Sequence, residues 1–201
     1  ILTCHSHQSV FGAPPSLVEV DSDMTSPDPT KLNLANSFIP ETRQICIVTR
    51  DLDAMVRRYA DQLGIGPWWV NEYRPPELTD TSYRGKPAKF SMRLALAWTG
   101  ALNWEIIQPL EGPSIYSDYL EHNQEGVQHV GVMLSDLDMT WDECHATFRA
   151  RGFKPIMEGR WNRVRFCYYD TLKASGTTIE VIDRPADFER PAPEYWYPQQ
   201  S

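Results

Sequence analysis

The sequence predicts an α+β fold made of two copies of one β-α-β-β-β module, and three observations predict it. Two stretches, "QICIVTRDLD" from Gln44 and "QHVGVMLSDLD" from Gln128, each run a short apolar strand into Asp-Leu-Asp. With Gln44 placed over His129 the match continues without a gap, so that Asp51, Leu52 and Asp53 fall on Asp136, Leu137 and Asp138. The two segments also close alike, on "WEIIQP" and "IEVIDRP", with Glu105 and Glu180 at the same place in the phrase.

Each element follows from its own residues. Residues 1–40 hold "GAPPS" and "TSPDPTK", rich in proline, serine and aspartate without periodicity, and read as an extended or disordered arm. Cys4, His5 and His7 in that arm are metal-capable, but a terminus of this composition has nothing to hold them rigid. The single domain spans 41–185, with modules at 42–110 and 127–185, and 186–201 form a tail of proline and aromatic residues. "QICIVT" is a β-branched apolar strand. Asp51 or Asp53 then caps a helix from about Leu52 to Leu63, with Leu52, Met55, Val56 and Tyr59 on one stripe and Gly64 ending it. Strands follow at "PWWVNEY", "FSMRLALAW" and "LNWEIIQ", the last two separated by the turn signal Thr99-Gly100.

The second copy repeats the order. "HVGVML" is a strand, Asp136 or Asp138 caps a helix to about Ala150, and Gly152 ends it. Strands follow near "KPIMEG", "VRFCYYD" and "TTIEVID". His122, in a loop, and His145, on the helix, read as surface residues.

The bulk properties exclude several classes. A chain of 201 residues, 41% hydrophobic and 11% aromatic, is globular. A net charge of -8 argues against nucleic acid as a partner. No apolar run reaches the roughly 18 residues of a membrane-spanning helix. Cys4, Cys46, Cys144 and Cys167 are too widely spaced for a zinc or redox pair, and Cys46 reads as a small buried thiol within a strand. With no apolar leader at the start, the expectation is a reduced, cytoplasmic protein whose partner is a small molecule, a second copy of the chain being a further candidate.

Polar residues inside apolar strands point to chemistry. Glu105 shares its strand face with Asn103 and Ile107, and Glu180 shares its own with Thr178 and Ile182. Such mixed faces suit a ligand-lined cavity, or a half-exposed sheet with the glutamates in water. The duplication favours the cavity. Gln44 and His129 open equivalent strands, Glu105 and Glu180 occupy equivalent closing strands, and modules paired about a pseudo-twofold axis bring all four together. An amide oxygen, an imidazole and two carboxylates suit a divalent ion (zinc, cobalt, nickel, manganese or magnesium) with room for water.

With these residues in place, the sequence resembles the vicinal oxygen chelate superfamily over about residues 42–185. That group includes glyoxalase I, methylmalonyl-CoA epimerase, extradiol dioxygenases and bleomycin-resistance proteins. The resemblance implies a cupped mixed sheet around a central site, with Gln44, Glu105, His129 and Glu180 as metal ligands. Gln-Glu-His-Glu is the ligand order of eukaryotic-type glyoxalase I, whereas "EIIQPLEGPSIYSDYLEHNQEGVQHVGV" resembles the epimerase branch, where a helix follows the ligand strand. Val48 and Glu125 stand where glyoxalase I carries glutathione-binding arginines, and Pro109 where it has an asparagine. Gln44 in place of a histidine argues against an extradiol dioxygenase, and the four ligands argue against a simple sequestering protein.

The resemblance also implies the reaction: enolate-type proton transfer by an isomerase, epimerase or lyase. Glu180 is its mobile base and Glu105 the counterpart on the opposite face. Seven tryptophans leave some for the cup, and Trp68, Trp98, Asn103, Trp161, Phe166 and Tyr168 are expected to line a pocket for a bulky or aromatic carbonyl compound. Two alternatives stand beside it. One is epimerase-like action on a CoA thioester, for which Arg160, Arg163 and Arg165 are the available phosphate partners. The other is a metal-free pocket that cups or templates a hydrophobic ligand.

Overall fold

The computed structural model describes residues 38–199, so the expectations placed on 1–37, including Cys4, His5 and His7, lie outside the described residues. Strand β1 (Gln44–Val48) is followed by helix α1 (Leu52–Leu63). Asp51 caps α1 by accepting a 2.9 Å hydrogen bond from the Ala54 amide, and Gly64 ends it in the left-handed region at φ 68°. Next come β2 (Trp68–Tyr73), β3 (Leu78–Tyr83), β4 (Lys86–Pro87), β5 (Met92–Thr99), β6 (Leu102–Pro109) and α2 (Ile115–His122). The second half holds β7 (Gly126–Met133), α3 (Trp141–Ala150), β8 (Pro155–Trp161), β9 (Val164–Tyr169), the short α4 (Leu172–Ser175), β10 (Thr178–Asp183) and β11 (Tyr195–Tyr197).

All strands join one sheet in the order β11-β2-β5-β6-β1-β7-β10-β9-β8-β3-β4. The two modules meet at β1 and β7, which run antiparallel, and each closing strand lies parallel to its own opening strand, β6 beside β1 and β10 beside β7. That is the arrangement expected of a duplicated module about a pseudo-twofold axis. The sheet must curl. Strands β2 and β8 are seven positions apart, about 34 Å in a flat sheet, yet the rings of Tyr73 and Trp161 stack at 4.1 Å.

The apolar residues divide accordingly. Ile47, Leu52, Val56, Trp68 and Ala95 pack between α1 and the outer face of the first half, and Val132, Cys144, Phe148, Tyr169 and Val181 form the equivalent layer under α3. The third cluster, including Trp69, Tyr73, Leu94, Trp161, Phe166 and Tyr168, lies inside the cup. No helix of the described residues is long and apolar enough to cross a membrane.

Two expectations are corrected here, and two elements were not foreseen. Helix α3 is capped by Thr140, not Asp136 or Asp138: the Thr140 hydroxyl accepts from the Glu143 amide and the Glu143 carboxylate accepts from the Thr140 amide. Asp136 lies in a 3₁₀ turn and accepts a 2.8 Å hydrogen bond from Arg43. The first module also carries an unforeseen hairpin, β3 and β4, which crosses to pair with β8, the edge strand of the second. The tail supplies a further strand, β11, which pairs with β2 at the opposite edge. Pairing at both ends covers edges that would otherwise offer open hydrogen-bonding groups. Lastly, His145 is buried, not on the surface: its Nδ1 lies 3.1 Å from the Tyr169 hydroxyl, and its Nε2 is 3.5 Å from Glu158. His122, the last residue of α2, is exposed.

Candidate functional site

Strand register brings the polar residues together in two neighbouring rows. In one row Glu105 of β6 lies beside Cys46 of β1, which lies beside His129 of β7. In the next, Gln44 of β1 and Glu180 of β10 flank Gly131 of β7. The duplication exchanges the rows, so Gly131 is the counterpart of Cys46. Its lack of a side chain is required: a Cβ there would lie 2.9 Å from that of Gln44.

The four predicted ligands converge and are all buried. The Gln44 amide nitrogen donates to Glu105 at 2.9 Å and to Glu180 at 2.8 Å. His129 Nε2 lies 3.2 Å from Glu105 and 3.3 Å from Glu180. One amide and one imidazole thus bridge the same pair of carboxylates. Burial alone would lower the His129 pKa, but hydrogen bonds to Glu105 and Glu180 and their negative charges override it and raise the pKa to about 9. Burial raises the pKa of Glu105, against the opposing pull of His129.

The donor set fits a divalent cation. Two buried carboxylates with one imidazolium leave a negative charge uncompensated, which is costly away from water. A divalent ion beside a neutral imidazole balances both carboxylates, and the Gln44 amide has an oxygen to offer in place of its nitrogen. His129 is prepared for that state, because Gln128 Oε1 lies 2.6 Å from its Nδ1 and can fix the tautomer that leaves Nε2 facing the carboxylates.

Sequence reasoning passed over Gln128 as a supporting residue and took Cys46 as ordinary core. Cys46 Sγ belongs to the same cluster as Glu105 and His129. The signal was present, since Cys46 is two residues from Gln44 on one strand face. Burial, followed by the charges of Glu105 and Glu180, pushes its thiol well up, so without a metal it stands as a neutral donor toward Glu105.

Above the cluster lies a cavity of about 550 Å³, with Gln44, Glu105 and Glu180 in its wall. Of the expected pocket residues, Trp98, Asn103, Trp161, Phe166 and Tyr168 line it. Trp68 does not. It is fully buried on the opposite face of β2, beneath α1, where Tyr59 meets it edge-on at 6.0 Å. The walls missed in the sequence come from Tyr73 and from Arg184, Pro185, Phe188 and Arg190, which follow the last ligand strand. Behind the cluster, the hydroxyls of Tyr116 and Tyr168 are 2.6 Å apart, and their rings sit edge-on. Burial pushes both phenols well above their ordinary pKa, so each is a neutral hydrogen-bonding group. The arginines considered for CoA phosphates are engaged elsewhere: Arg160 with Asp80, Arg163 with Asp187 and Arg165 with Asp183.

Comparison with known proteins bears on the family and the fold. A family model described as glyoxalase/bleomycin resistance protein/dioxygenase superfamily matches residues 43–168. No curated protein matches the chain. Among solved structures, methylmalonyl-CoA epimerase from Mycobacterium tuberculosis is similar at a TM-score of 0.54 and 19% identity, covering 78% of this chain and 95% of that one. A hypothetical protein from Bacillus halodurans C-125 gives 0.54 at 15% identity, covering 75% and 98%. A variant of Streptomyces coelicolor methylmalonyl-CoA epimerase, in complex with 2-nitronate-propionyl-CoA, gives 0.50 at 20% identity, covering 75% and 97%.

Proposed function

The chain belongs to the glyoxalase/bleomycin resistance protein/dioxygenase superfamily, and on that premise we propose that it is a divalent-metal-dependent isomerase, epimerase or lyase that moves a proton at the carbon next to a carbonyl group. The observation that carries this reading is the convergence of Gln44, Glu105, His129 and Glu180, three of which (Gln44, Glu105 and Glu180) line the wall of a cavity. These four would hold the ion. When bound, the ion supplies a Lewis acid that favours negative charge on the carbonyl oxygen.

The protein's own groups do the rest. Glu180 and Glu105 line the cavity from opposite modules, which supports assigning one face of a flat intermediate to each. Glu180 is the base that takes the proton. Glu105 returns a proton on the other face in an epimerase and has no such duty in a one-sided isomerase or lyase. Tyr73, Trp98, Trp161 and Phe166 supply apolar walls that orient a substrate and exclude water.

A bulky or aromatic carbonyl compound suits these walls better than a CoA thioester. Arg160, Arg163 and Arg165 each have a carboxylate partner already, so a phosphate would have to displace Asp80, Asp187 or Asp183. Elemental analysis of protein purified without added metal tests the reading, with about one divalent ion per chain as the expected result. A metal-free protein that still acted on a carbonyl substrate would favour a templating pocket instead.

The methylglyoxal-glutathione adduct is expected to turn over negligibly. Val48 is fully buried, and Glu125 accepts hydrogen bonds from Thr49 and the Arg50 amide, so neither offers a cation for glutathione's carboxylates. A steady-state assay of that adduct decides the matter. Robust turnover would mean that the missing arginines carry little weight.

A further inference from the structure

The segment after β10 turns back over the cavity and places an arginine in its wall. Arg190 is largely enclosed, and its guanidinium carbon lies 4.9 Å from the Trp98 ring centre and 5.3 Å from that of Trp69. Its Nε is buried without a hydrogen-bond partner, and no carboxylate among the described residues pairs with the guanidinium. This is unusual company for a buried guanidinium, which ordinarily has a partner for its donors. The contrast within the protein is sharp, since Arg43, Arg93, Arg160, Arg163 and Arg165 all hold carboxylates. Arg184, exposed and also in the cavity wall, adds positive charge nearby. Trp98, one of the few exposed large apolar residues, forms an aromatic rim beneath Arg190.

We propose that Arg190 is a substrate-binding residue and that the cavity takes a flat carboxylic acid, its carboxylate held by the Arg190 guanidinium against Trp98 and its body lying between the aromatic walls. The inference rests on the reading that this cavity is the substrate site, and it adds the substrate's charge and the residue that reads it. A guanidinium matches a planar carboxylate with two parallel hydrogen bonds, and stacking on tryptophan pre-orders the fork before the ligand arrives. Burial opposes the positive charge of Arg190, and a bound anion relieves that penalty. A cavity of about 550 Å³ is in the range that encloses a compact ligand.

The test compares 2-naphthoate with 2-naphthamide, which share a shape and differ in charge, by calorimetric titration in the presence of a chelator. Chelation removes any carboxylate binding to a metal, so the outcome does not depend on the metal reading, and a failure here leaves that reading standing. Wild-type protein is expected to prefer naphthoate by at least about tenfold, as a charge-assisted pair supplies. Arg190→Met keeps apolar bulk between the tryptophans and is expected to erase the preference without lowering the melting temperature. Arg190→Lys keeps the charge but loses the fork, and its preference is expected to be intermediate. Equal binding of the two probes by wild type, or an undiminished preference in Arg190→Met, would overturn the assignment. Competition by coenzyme A that Arg190→Met abolishes would also overturn it, by moving the anion to a phosphate.

Discussion

Glu180→Gln is expected to lower turnover of the true substrate by at least roughly 100-fold, the usual worth of a positioned general base. The substitution preserves length and one ligand oxygen, so the variant is expected to retain some metal. What it removes is the group proposed to take the proton. In deuterium oxide the wild-type enzyme is expected to return substrate or product labelled at the carbon beside the carbonyl, and the variant to return almost none. Glu105→Gln separates the possible reactions. Glu105 and Glu180 bridge the same amide and imidazole from opposite modules, so an epimerase needs both, and a one-sided proton transfer tolerates the loss of one. A Glu180→Gln enzyme that binds metal and works at the native rate would remove Glu180 from the mechanism.

Loss of nearly all bound metal is the expected result for His129→Ala. His129 is fully buried between two carboxylates. Its removal takes away a proposed ligand and leaves Glu105 and Glu180 facing each other with only Gln44 between them. Removing one partner from such a buried charged group costs about 3–5 kcal/mol, so metal-free His129→Ala is expected to melt well below metal-free wild type. Wild-type protein is also expected to gain melting temperature as metal is added, because binding to the folded state alone stabilises it. The variant is expected to lose that dependence. Circular dichroism distinguishes a folded, metal-free variant from an unfolded one. A folded His129→Ala that still bound about one ion per chain would place the metal elsewhere.

The duplicated module was determined by sequence alone. Its signal is local: β-branched alternation in β1 and β7, the Asp51 cap and Gly64 stop of α1, and closing phrases that set Glu105 and Glu180 in register. The four cluster residues were legible for a related reason. Strand periodicity fixes which residues share a face, and the repeat pairs Gln44 with His129 and Glu105 with Glu180, so their meeting follows once the modules pair. Cys46 was legible by the same periodicity, as the Thr140-x-x-Glu143 capping box was by its spacing.

Other features needed the tertiary structure, because their cause is not local. Trp68, Trp69 and Val70 make both faces of β2 apolar, and no alternation says which side enters the cup; packing under α1 took Trp68 and left Trp69 for the interior. Strand β3 is mostly polar, and β11 is three residues in a proline-rich tail, so neither carries a strand signal of its own. Each exists because an edge strand, β8 or β2, offers it hydrogen bonds. The placement of Arg190 in the cavity wall has the same origin. A sequence shows an arginine, but only the return of the chain over the cup leaves that arginine among tryptophans with no carboxylate of the described residues to hold.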